Sequence, residues 1–249
     1  MSGQLIVGIH AVRTALKHGT QRIDALWFDA ARRDRRLREL LDEARLAGLR
    51  PQASDKVTLD RMTAGANHQG VVAQGELPTS LGEAALDALL GAIDAPPLLL
   101  VLDGVTDPHN LGACLRSADG AGVHAVIAPR DRAGGLTPVV CKVASGAAET
   151  VPFVQVTNLV RTLRYLQDSH RVFVVGAAGD AQLDLYQADL TGPLALVMGS
   201  EGEGMRRLTR ETCDQLVRLP MAGQVESLNV SVATGICLYE AVRQRRPDR

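Results

Sequence analysis

Leu98-Leu-Leu-Val-Leu102 is an unbroken apolar run closed by Asp103. A strand wetted on one face alternates apolar and polar residues, so a run without alternation reads as a strand covered on both faces. Similar runs recur at residues 125–128, 172–175, 194–198 and 216–219. Helical spacing fills the gaps at 111–121, 138–147, 159–168 and 208–213, and a last helix is predicted over 230–245. Strands alternating with helices predict an α/β fold, a parallel sheet with helices on both faces, over residues 98–249.

The text before this block is different. Residues 1–75 predict a small separate α/β domain, with a helix near 10–17, a strand at 25–28, a long helix over 35–47 and strand text near 71–73. The long helix rests on Leu37, Leu40, Leu41 and Ala44 at helical spacing, stopped by Gly48. Residues 76–97, punctuated by Pro78, Gly82, Gly91, Pro96 and Pro97, read as a linker with room for one short helix.

Composition narrows the class of partner. With 27 Lys+Arg against 28 Asp+Glu, the formal charge of -1 excludes a protein that holds nucleic acid by bulk charge. Local patches remain open: Arg32, Arg33, Arg35, Arg36 and Arg38, then Arg206, Arg207 and Arg210, then Arg243, Arg245 and Arg246. A solvated helix face is the plainer reading of the first cluster, and RNA phosphate binding the sharper one. Cys114, Cys141, Cys213 and Cys237 form no C-x-x-C pair and read as buried, reduced thiols of a cytosolic protein. The first residues lack the basic and long apolar segments of a secretory signal, and no apolar stretch reaches the ~18 residues of a membrane span, so a cytoplasmic location is expected.

In open α/β sheets, ligands gather at the carboxyl ends of strands. Three such ends carry polar, glycine-rich text. After Asp103, a Gly/Pro loop leads to Asn110, read as the cap of the next helix, and to Arg116 further along it. Arg116 is either incidental or one wall of a phosphate or ribose pocket. Met198-Gly-Ser-Glu-Gly-Glu-Gly204 is neither the dinucleotide fingerprint nor a P-loop. Its Glu201 and Glu203 favour a cationic or hydroxyl-bearing ligand, against a plain strand-to-helix turn. Leu219-Pro-Met-Ala-Gly-Gln-Val-Glu-Ser-Leu-Asn-Val-Ser231 offers Ser227, Asn229 and Ser231 around a helix start, more than one cap needs. His109 is a weak candidate, no G-x-S-x-G elbow occurs, and no His/Cys set has metal spacing, so neither serine hydrolysis nor a metal is expected.

Together, Asn110 to Arg116, Val197 to Gly204 and Ser227 to Ser231 resemble the three signature motifs of the SpoU class of RNA ribose 2′-O-methyltransferases. Further stretches, Gly8-Ile-His-Ala-Val12, His68-Gln-Gly-Val71, residues 102–118 and Ala233-Thr-Gly-Ile-Cys237, resemble the bacterial members that methylate a guanosine of 23S rRNA.

The resemblance implies a catalytic domain ending in a deep trefoil knot, an N-terminal domain like the L30e/L7Ae RNA binders, and a homodimer with active sites at its interface. It implies S-adenosylmethionine bound by Gly199, Leu219 and Leu228, with Met198, Glu201 and Met221 nearby. Asn110 and Asn229 would fix the pocket, Glu201 would orient Arg116 or accept from the ribose, and Ser227 would bond substrate. Arg116 carries the family's hydroxyl-activating role; because a guanidinium stays protonated, gripping phosphate and stabilising negative charge is the more conservative role. Three other readings stand beside this one: the same chemistry on tRNA, a non-catalytic RNA-binding assembly factor, and a Rossmann-type nucleotide enzyme, which lacks its glycine fingerprint.

Overall fold

The computed structural model describes residues 3–18 and 23–246. The first two residues of the start read above for a signal, and residues 247–249 of the expected catalytic block, lie outside them. Contacts group the chain into two units, Met1–Thr79 with Leu136–Thr150, and Ser80–Gly135 with Val151–Arg249.

In the first unit, strands β1 (Gln4–Val7), β2 (Ile23–Asp29), β3 (Gln52–Ser54) and β4 (Val71–Gly75) form a mixed sheet ordered β1-β4-β2-β3. Its helices are α1 (Ile9–His18), α2 (Arg35–Leu46) and α3 (Lys56–Met62). The α2 helix starts where Asp34 accepts the Leu37 amide at 3.0 Å and buries Leu37, Leu40, Leu41 and Ala44 against Val12, Leu26 and Val71. It stops at Gly48, whose φ of 86° lets the Leu49 amide return to Ala44 O at 3.0 Å. No periodic signal marks β1, β3 or α3 in the sequence. The strands are four and three residues long, and β3 has no buried face.

The second unit begins with α4 (Ala84–Gly91), inside the stretch 76–97. Its Leu86 and Leu90 are buried in that unit's core. The sheet then builds from β5 (Leu98–Asp103), α5 (Pro108–Gly120) and β6 (Ala125–Pro129). The chain returns to the first unit for α6 (Pro138–Ala144) and α7 (Ala147–Thr150), two helices where one had been expected. Ser145 at φ 55° and Gly146 at φ 101° break them apart.

Then come β7 (Phe153–Val156), α8 (Leu159–His170), β8 (Phe173–Ala177), β9 (Leu183–Asp184), β10 (Leu194–Gly199), α9 (Arg207–Thr212), β11 (Gln215–Arg218) and α10 (Val230–Arg245). The sheet order is β7-β6-β5-β10-β8-β11-β9, and every pairing is parallel. All six residues of β5 are buried. Leu99 and Val101 face a core shared with α4 and α8, so the pleat turns Leu98, Leu100 and Leu102 to the opposite face. There α5 and α10 pack on each other, and α10 also packs on β10. This explains the two-sided apolar run. The Gly/Pro loops cluster at the carboxyl edge.

Candidate functional site

Three chain segments meet at that edge. The Glu201 carboxylate accepts the Asn110 side-chain amide at 3.3 Å and also that of Asn229. Asn229 Nδ2 also donates to Asn110 Oδ1 at 2.9 Å, closing the triangle. Asn229 is the cap of α10, accepting the Ser231 amide at 2.9 Å. Asn110 is not a cap: Asp107 holds that place in α5, accepting the Asn110 amide at 2.8 Å. The Asn110 side chain is thereby left to reach Glu201. The strands that feed these segments are also not all adjacent, since β8 lies between β10 and β11.

The triangle borders a cleft of about 560 Å³, a size that suits a small ligand. All six residues expected to hold the cofactor line it: Met198, Gly199, Glu201, Leu219, Met221 and Leu228. Ser227 and Asn229 line it as well, whereas Asn110 and Arg116 are absent from the lining. Sequence reasoning missed Ala177, the last residue of β8, Ala178 and Gly179, which follow it, and Glu226. The signal was present, because Val175-Gly-Ala-Ala-Gly179 is another glycine-rich strand end.

Backbone geometry explains the glycines. A Cβ at Gly199 would stand 2.2 Å from the Gly204 carbonyl carbon, so no side chain fits there. Residues 200–204 close on themselves through paired backbone bonds of 3.1 and 3.0 Å between Ser200 and Gly204. Gly202 and Gly204 take φ of 84° and 70°. The donor set of the cleft fits S-adenosylmethionine. Apolar Met198, Leu219 and Leu228 offer surface to a purine or thioether. Glu201 and Glu226 line the cleft and no Lys or Arg among the described residues does, which suits a cationic sulfonium.

Arg116 is exposed on α5 and forms no hydrogen bond or ion pair among the described residues. The expected link from Glu201 to Arg116 is absent among the described residues; the carboxylate holds two side-chain amides instead.

The arginine patches divide. Arg33, Arg36 and Arg38 have no side-chain partner among the described residues, whereas Arg32 pairs with Asp34, and Arg35 with Glu39 at 2.6 Å. Arg206 pairs with buried Asp103, Arg207 with Glu211, Arg210 with Asp180 and Arg243 with Glu240. Arg245 is a structural tie, donating to Leu190 O at 2.9 Å and Pro96 O at 3.0 Å.

The four cysteines are free; Cys114 and Cys237 are buried, but Cys141 and Cys213 only partly so. Burial pushes the Cys114 thiol up to about 11 and the other three to about 12, so all stay protonated near neutrality. Among the described residues there is no group of His, Cys, Asp and Glu able to hold a metal, and no helix long and apolar enough to cross a membrane.

Comparison with known proteins gives a consistent result. The family model described as SpoU rRNA Methylase family matches residues 97–239. A second, described as RNA 2′-O ribose methyltransferase substrate binding, matches residues 5–80. The chain is 61% identical to the 23S rRNA (guanosine-2′-O-)-methyltransferase RlmB of Ralstonia nicotianae, over 97% of this chain and 96% of that one. It is 57% identical to the protein of the same name from Shewanella oneidensis, over 97% and 98%. The SpoU methyltransferase AviRb from Streptomyces viridochromogenes, solved in complex with AdoMet, superposes with a TM-score of 0.78 at 28% identity, covering 97% of this chain and 90% of that one.

Proposed function

Because the chain belongs to the SpoU rRNA methylase family, we propose that it transfers a methyl group from S-adenosylmethionine to the ribose 2′-hydroxyl of one guanosine in 23S rRNA. The observation that carries this reading is the Asn110–Glu201–Asn229 triangle at the rim of the 560 Å³ cleft. A protein that only binds RNA needs no such convergence of three distant segments.

Bound S-adenosylmethionine supplies an electrophilic methyl on a positive sulfur. Passing that methyl to the 2′-oxygen would leave the sulfur as a neutral thioether, and the hydroxyl proton would pass to water, since a guanidinium is already protonated. The chain's own part is orientation and charge. The triangle holds the loops after β5 and β10 and the start of α10 in one arrangement. Such pre-positioning can lower a barrier by about 7–11 kcal/mol in the best cases. Ser227 and the free lone pairs of Glu201 face a ribose as hydrogen-bond partners. Arg116, always charged, grips the adjacent phosphate and offsets the developing oxyanion. No thiol is poised as a nucleophile, which agrees with direct transfer.

Two further elements belong to the proposal. The segment after β11 returns to line the same cleft as residues 198–204, which supports the knotted topology expected of the family. A homodimer is supported by Val232 and Tyr239 on α10, 51% and 52% exposed, beside α5. In that dimer Arg116, unpaired among the described residues and outside its own cleft lining, serves the partner's site. Unpaired Arg33, Arg36 and Arg38 are the proposed phosphate contacts of the first unit, and the reaction is placed in the cytoplasm.

The test is incubation with labelled S-adenosylmethionine and unmodified 23S rRNA, followed by mapping of the modified ribose. Label on a single guanosine 2′-oxygen is expected. Label on tRNA alone, or none, overturns the reading.

A further inference from the structure

A second cleft, of about 390 Å³, opens on the same edge of the second unit, at the carboxyl ends of β6 and β7. Its apolar walls include Pro129, Leu159 and Leu208. Its polar lining is Asp131, Thr157, Asn158 and Thr209, together with Arg206 and Arg207, whose guanidinium groups are engaged by Asp103 and Glu211. The Asp131 carboxylate has no hydrogen bond or ion pair among the described residues, and Asp131 is exposed. Thr209, which lines the cleft, is only 1% exposed. Asn158 uses its oxygen to cap α8, accepting the Arg161 amide at 3.0 Å, which leaves its NH2 group free.

This set has a definite complement. A flat ligand between apolar walls must present a pair of adjacent N–H donors to the carboxylate and an acceptor to the amide or hydroxyl. The Watson–Crick edge of guanine has that order: the 2-amino group, N1–H, then O6. Adenine offers an acceptor at N1 where the carboxylate needs a donor.

Position links the two clefts. Arg206, two residues beyond Gly204 of the loop that lines the first cleft, lines the second. Its guanidinium is held on Asp103 at the end of β5. In the sheet β6 and β10 are separated only by β5, so their ends stand about 10 Å apart at the usual strand spacing, within reach of the two halves of one nucleotide.

Resting on the function proposed above, we propose that the 390 Å³ cleft receives the base of the target nucleotide and that Asp131 is the residue that selects guanine. A site built to bond a polar group discriminates strongly against the analogue that lacks it.

The test compares 23S rRNA transcripts carrying guanosine or inosine at the mapped ribose, inosine lacking only the 2-amino group. Wild type is expected to lose at least ten-fold in kcat/KM on inosine. Asp131→Asn is expected to treat the two alike, through a raised KM on guanosine, with S-adenosylmethionine affinity and urea midpoint unchanged, because the Asp131 side chain bonds nothing among the described residues. Equilibrium binding of the same two RNAs reads the preference independently of methyl transfer, so an inactive wild type indicts the proposed reaction and not this site. Equal binding of both RNAs by wild type, or a guanosine preference undiminished in Asp131→Asn and Asp131→Ala, overturns the assignment.

Discussion

Asp103, fully buried at the end of β5, holds Arg206 twice over: one carboxylate oxygen accepts the Arg206 amide at 2.9 Å and the other its Nε at 2.6 Å. The residues are 103 positions apart, and the bond anchors the exit of the Gly199–Gly204 loop to the strand beside it. Arg206→Met is expected to leave a buried carboxylate short of its partner. Its half-exposed guanidinium tempers the loss to about 2–3 kcal/mol, the cost of a buried group left partly unsatisfied. Urea unfolding reads this directly; a midpoint equal to wild type would refute the clasp.

Gly199→Ala tests the cleft itself. The new methyl would stand 2.2 Å from Gly204 C, so the loop must move. Affinity for S-adenosylmethionine is expected to fall by ten-fold or more in calorimetry. Gly223→Ala, with nothing within 4 Å of the added carbon, is the control expected to bind as wild type. Equal affinities for both variants would place the cofactor elsewhere.

The parallel sheet was legible because burial on both faces leaves a plain mark, an apolar run as in Leu98–Leu102. The start of α10 was legible because Asn229 is a strong cap. Elements whose register is set by neighbours left no such mark: β7 is four residues after Pro152, and β9 is a two-residue edge. At the site, the motif residues could be named, but their partners could not. Asn110 looked like a cap because caps and Asn go together; Asp107, three residues earlier, takes that bond and frees it. Glu201 was expected to orient Arg116 or accept from the ribose, and only three-dimensional placement shows two amides on its carboxylate. Charge clusters misled most, since sequence cannot show that Arg206 and Arg245 spend their donors inside the fold.

Arg116→Ala separates catalysis from binding. The side chain has no hydrogen bond or ion pair among the described residues and does not line the cofactor cleft, so stability and S-adenosylmethionine affinity are expected to stay at wild-type values. Methyl transfer is expected to fall at least a hundred-fold, the scale of losing a charge-stabilising group. Arg116→Lys should restore only part, because a point charge cannot replace the planar fork. Turnover within a few-fold of wild type in Arg116→Ala ends the assignment.

The first unit should be acid-labile, with a sign fixed by its caps. The Asp34 carboxyl is held below its usual range by the bond from Arg32 and then by the Leu37 amide. Asp55 is lowered by the Thr58 amide and hydroxyl, and Asp60 by Lys56 and then His68. A carboxyl lowered in the folded state binds its proton later than in the unfolded chain. Its stabilisation is therefore complete above the unfolded value of about 3.9 and is lost as pH falls through the folded one. Trp27, the single tryptophan, sits on β2 with its indole N–H on Gln52 at 3.1 Å, so its fluorescence reports this unit. The urea midpoint read at Trp27 is expected to be level from pH 7 to about 5 and to drop below about 4. Asp34→Asn keeps the N-cap oxygen but carries no charge to titrate, and should show a shallower drop. A midpoint that rises on acidification, or an unchanged drop in Asp34→Asn, would show that these carboxylates do not govern the unit's stability.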